Sequence, residues 1–130
     1  MKKIANKIQA HRIPLYDGYL VLAVADSAKA IKKYFPDLTE DTFSTFEALT
    51  FNDNHNGKRA TVIVFNTTAP VEGTTHGTIA HENLHFVTRT LEYISAPPIS
   101  VGPDEFSAYL IEWGVNTTTK FLESAGVEIR

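Results

Sequence analysis

The chain predicts an α+β domain: a small, mostly antiparallel sheet packed against a helix carrying His-Glu-x-x-His and a second helix at the C-terminus. Three observations lead there. Residues 19–24 and 60–65 are close to continuously apolar, as strands covered on both faces are. Residues 78–94 and 105–124 instead space their apolar side chains by three and four, the period of a helix. Asp17-Gly18 and the polar stretch 52–57 fall where the chain must turn back.

The 130 residues form one domain, 1–130, since domains cluster near roughly 100–150 residues. Acidic and basic residues are mixed, and the net charge of −3 leaves no basic stripe to hold a phosphate backbone, so nucleic acid is not an expected partner. Lys2, Lys3, Lys7 and Arg12 cluster near one end and read as a solvated arm. With no cysteine, disulfides and thiolate metal sites are excluded, leaving histidine and carboxylate as possible ligands. Residues 20–25 resemble the core of a signal peptide, but the run is short and Asp17 and Gly18 interrupt what precedes it. No stretch approaches the roughly 20 apolar residues of a membrane span. The expectation is a soluble, cytoplasmic protein without a membrane partner.

In order along the chain, residues 1–10 read as a polar or weakly helical lead-in with Ile4 and Ile8 touching the domain. Residues 12–16 and 19–25 flank Asp17-Gly18 and predict a hairpin or one kinked strand. Asp26 or Ser27 caps a helix over 28–35 that Pro36 ends. Residues 37–47 are ambiguous, with Leu38, Phe43 and Phe46 spaced for a short helix on the sheet. Strands at 48–51 and 60–65 make a second hairpin, and His55 in its turn reads as an exposed loop histidine.

The next helix carries the chemistry. Thr74 or Thr75 caps it, Pro97-Pro98 forbids its continuation, and Ala80, Leu84, Val87, Leu91 and Ile94 form its apolar stripe. His81 and His85 stand four apart on one face, with Cβ atoms about 5–6 Å apart, so both imidazoles can meet one ion. Glu82 lies about 100° further round than His81, beside the ligand row, where a base for a metal-bound water belongs. His76, about 140° from His81, fits poorly as a ligand and reads as a capping or cleft residue.

A catalytic zinc takes three protein ligands and a water, so a third group is needed. Glu105, at the start of the last helix and 20 residues beyond His85, is the first choice; Asp104 and Glu112 are the substitutes. Glu105, Ala108, Tyr109, Glu112 and Asn116 share one face and read as a site wall. Glu112 or Asn116 would otherwise orient a ligand histidine. Tyr109 is a candidate donor to the oxyanion of amide hydrolysis. Phe106, Leu110, Trp113, Phe121 and Leu122, with Ile111 and Val115, wrap a wide face, as expected of a well-buried helix.

Through His81-Glu82-Asn83-Leu84-His85, the chain resembles the zincin metallopeptidases. Glu105-Phe106-Ser107-Ala108 resembles the glutamate-x-x-alanine pattern of small gluzincin and ImmA/IrrE-type domains of bacteria and their phages. The resemblance implies a zincin-like fold with zinc on His81, His85 and Glu105, Glu82 as general base, and a peptide or protein as substrate. It leaves two functions open, a zinc metallopeptidase or a zincin-like metal-binding or protein-interaction domain without turnover.

Overall fold

The computed structural model describes residues 6–68, 74–96, 99 and 104–130. Its α+β architecture is a four-stranded mixed sheet with two long helices on one face. The strands are β1 (Lys7–Arg12), β2 (Tyr19–Ala25), β3 (Ala48–His55) and β4 (Lys58–Asn66), in spatial order β1-β2-β4-β3. The ladders β1–β2 and β3–β4 are antiparallel, whereas β2 and β4 run parallel, from Tyr19 opposite Ala60 to Ala25 opposite Asn66.

The two central strands bury both faces, as their apolar runs predict. Leu20, Leu22 and Val24 of β2, with Ile63 and Phe65 of β4, point toward the long helices. The alternate residues Val21, Ala23, Ala25, Val62 and Val64 meet Ile31, Phe35 and Phe43 on the other side. That side is closed by a 3-10 turn at Lys29–Ile31 and the single-turn α1 (Glu40–Phe43). The expected helix over 28–35 is therefore only a turn, with Ser27 Oγ accepting from the N–H of Ala30 at 3.2 Å.

The expected lead-in is also different where it is described. Residues 7–10 are the start of β1, paired with β2 from Lys7 opposite Val24. Alternation over six residues carries a weak signal, and pairing with a neighbour decides the conformation. The second hairpin is longer than expected, with its strands reaching His55 and Lys58. Only Asn56 and Gly57 turn, at φ 51° and 74°, the left-handed pair that suits the twist of a two-residue hairpin.

The motif helix α2 (His76–Tyr93) starts at Thr75, whose hydroxyl accepts from the N–H of Thr78. The C-terminal segment pairs beside this start: Thr74 N–H donates to Glu128 O, and His76 N–H to Arg130 O. The last helix, α3 (Glu105–Ser124), packs on α2. Pro97-Pro98, expected to stop α2, lie outside the described residues. The helix ends before them, with Ser95 at φ 57° and Ala96 N–H returning to Leu91 O.

The buried side of α2 is rotated from the expected stripe. Of that stripe Val87 and Leu91 are buried, but Ala80 and Leu84 face solvent, Leu84 with 47% exposure, and Ile79, Asn83, Phe86 and Thr90 are buried in their place. Asn83 makes this orientation possible by donating to Ile79 O at 2.9 Å and to Thr118 Oγ1 of α3 at 3.1 Å. A polar side chain whose amide N–H groups are bonded across a helix interface can belong to the core even though its Oδ1 has no partner there, and apolar periodicity alone does not register it.

Candidate metal centre

One turn of α2 sets His81 above His85 and brings their Nε2 atoms to 3.3 Å. Two ligands of a tetrahedral zinc, each roughly 2.0–2.1 Å from the ion, stand about 3.3–3.4 Å apart, so the pair is already spaced for one ion. Glu82 completes a group in which one ligand atom from each of the three residues lies within 4.8 Å of the others. Among the described residues this is the group of histidine and carboxylate side chains that could hold a metal. The histidines are exposed, whereas Glu82 is 6% exposed.

Glu82 is turned toward the sheet, where Thr50 of β3 donates its hydroxyl to Oε2 at 3.0 Å. Thr50 is itself buried, so this bond holds the carboxylate in one orientation beside the histidine pair. Buried on one side and beside two exposed imidazoles on the other, Glu82 is a fixed acceptor at the edge of the candidate ion site. Phe46, Glu47, Ala48, Thr78, His81 and Glu82 line a concavity of about 510 Å³ between α2 and the start of β3.

The third ligand expected on α3 does not join this group. Gly114 and Thr118 of α3 face Asn83, and Trp113 packs against Phe86, so the helices run antiparallel with this region in register. Glu105 lies nine residues before Gly114, displaced about 13 Å along the axis toward the C-terminal end of α2. Rotation is against it as well. His81 and His85 each stand about 160° round α2 from Asn83, on the face turned away from α3. Asp104 and Glu112, the substitutes, are exposed residues of the same segment and are not in the group either.

The face expected to be a site wall is solvent surface: Glu105, Ala108, Tyr109, Glu112 and Asn116 are all exposed. Tyr109 lines, with Glu105, Phe106, Leu15 and Tyr16, an apolar hollow of about 480 Å³ at the start of α3. His81 and Glu82 are not among its walls. His76 is exposed at the first position of α2. His55 ends β3 rather than sitting in a loop, with its ring 4.7 Å from that of Tyr19. Thr50 and Glu47 are the site residues that sequence reasoning missed; each reaches α2 only through the fold, and no local spacing marks either.

Among the described residues, no helix is long and apolar enough to cross a membrane. No protein-family model matches this chain, and comparison with curated proteins and with solved structures finds no similar one. The geometry of the His81, Glu82 and His85 group therefore carries the functional reading by itself.

Proposed function

We propose that His81 and His85 bind zinc and that the protein hydrolyses peptide bonds, with Glu82 as general base. The observation that supports this most is the 3.3 Å separation of the two Nε2 atoms, the span that one tetrahedral ion requires. Zinc held there would supply a Lewis acid for the peptide carbonyl and make water a better nucleophile at neutral pH. Glu82 takes a proton from the attacking water and returns it to the leaving amine. Thr50 keeps the carboxylate oriented during both transfers, through the hydroxyl bond to Oε2.

A second reading, a domain that holds metal without turnover, is favoured by one observation: α3 contributes no carboxylate to the group. Metal analysis after zinc loading, together with an assay on an unfolded protein substrate, separates the two. The expected result is one zinc per chain and cleavage that falls at least about 100-fold in Glu82→Gln while zinc stays bound. Stoichiometric zinc with no cleavage would select the second reading. Failure to retain zinc would remove both.

A further inference from the structure

We propose that Glu47 is the third protein ligand of the ion held by His81 and His85. The inference rests on the zinc reading above and supplies the group that α3 does not. Among the described residues that line the concavity beside the histidine pair, Glu47 is the one ionisable residue besides His81 and Glu82. Its carboxylate would complete two histidines and one glutamate, a set that zinc uses in catalytic sites.

The backbone at Glu47 is held firmly. Its carbonyl accepts from the N–H of Asn66 at 2.9 Å, and the Asn66 amide donates to the carbonyls of Phe43 and Phe46 at 3.0 and 3.2 Å. The side chain, in contrast, is exposed. Its Oε1 accepts from the Thr78 hydroxyl at 3.4 Å, a long bond that resists displacement weakly. Thr78 lies one turn before His81 on α2, about 60° round the helix from it. Glu47 is thus parked one helical turn short of the ion site, outside the group whose ligand atoms lie within 4.8 Å. Rotation of an exposed side chain, a motion of picoseconds to nanoseconds, is all that its transfer from Thr78 toward the ion asks of it.

Two roles compete for Glu47: ligand, or brace for the first turn of α2 through Thr78. Zinc affinity of the full chain, measured by competition with a chromophoric chelator, distinguishes them. Glu47→Gln is expected to weaken zinc by at least about tenfold, the lower bound for losing even an outer-shell partner. Glu47→His, which restores a ligand of another type, should recover most of that loss. Thr78→Val removes the parking hydroxyl and should leave affinity unchanged or tighter, and Glu105→Gln should leave it unchanged.

A wild-type chain that binds zinc while Glu47→Gln binds it equally well would overturn the proposal. Thr78→Val as weak as Glu47→Gln would also overturn it, because the brace would then be the role, and so would a weakened Glu105→Gln. A wild-type chain that binds no zinc refutes the zinc reading itself and this inference with it. Urea midpoints of the metal-free variants, expected to match wild type, check that the substitutions leave the fold intact.

Discussion

Gly114→Ala tests the helix crossing that decides which groups can reach the proposed metal site. A methyl at this position would collide with Oδ1 of Asn83 and lie 3.1 Å from Cδ2 of Phe86. Gly114, Asn83 and Phe86 are all buried, so none of them can yield toward solvent. Overpacking of this kind costs about 1–3 kcal/mol. Alanine regains about 0.8–1 kcal/mol of helix preference over glycine, and displacing Asn83 from Thr118 forfeits a hydrogen bond worth about 1 kcal/mol. The balance is a loss of about 1–3 kcal/mol. With an unfolding entropy of roughly 2.1 cal/mol/K per residue, the melting temperature of a chain this size should fall by about 4–11 °C. Thermal unfolding followed by circular dichroism measures it. Adding Asn83→Ala should relieve part of the collision, giving a coupling energy of at least about 0.5 kcal/mol in the double-mutant cycle. An unchanged or raised melting temperature would mean that the helices cross elsewhere, and Glu105 would again be a candidate ligand.

Two further predictions concern the buried carboxylate and the first strand. Thr50→Val leaves the carboxylate of Glu82 without its hydroxyl donor and should cost about 1–3 kcal/mol in urea unfolding; Thr50→Ser should retain most of the stability, and a Val variant as stable as wild type would refute the role assigned to this bond. His11 of β1 is half-buried against Phe121, and burial, then the nearby Lys7 charge, lowers its pKa from 6.5. The folded protein therefore favours neutral His11 while the unfolded chain takes up the proton more readily, so this stability is present above pH 6.5 and lost as pH falls through the lowered pKa. His11→Gln should flatten that part of the stability profile between neutral and mildly acid pH, and an unaltered slope would rule the assignment out.

Much of the fold was legible from local pattern. Runs 19–24 and 60–65 are apolar on both alternations because each face of β2 and β4 is covered, one by α2 and α3 and the other by Ile31, Phe35 and Phe43. The motif helix and the last helix were legible because one-sided burial leaves a 3.6-residue trace. What misled the pattern was polarity inside the core. Asn83 and Glu82 are buried beside His81, while Leu84 is exposed, so the stripe drawn through Ala80 and Leu84 is rotated from the true packing face.

The sequence alone determined the α+β class, the two long helices, and the placing of His81, Glu82 and His85 on adjacent turns, since spacing along one helix dictates their mutual reach. Tertiary structure decided everything that depends on a second element: the parallel pairing of β2 with β4, the bond from Thr50 to Glu82, and the approach of Glu47. It also decided which face of α2 meets α3. That choice turns on whether Asn83 finds a partner in Thr118 and room at Gly114, contacts between residues more than thirty positions apart that no local period encodes.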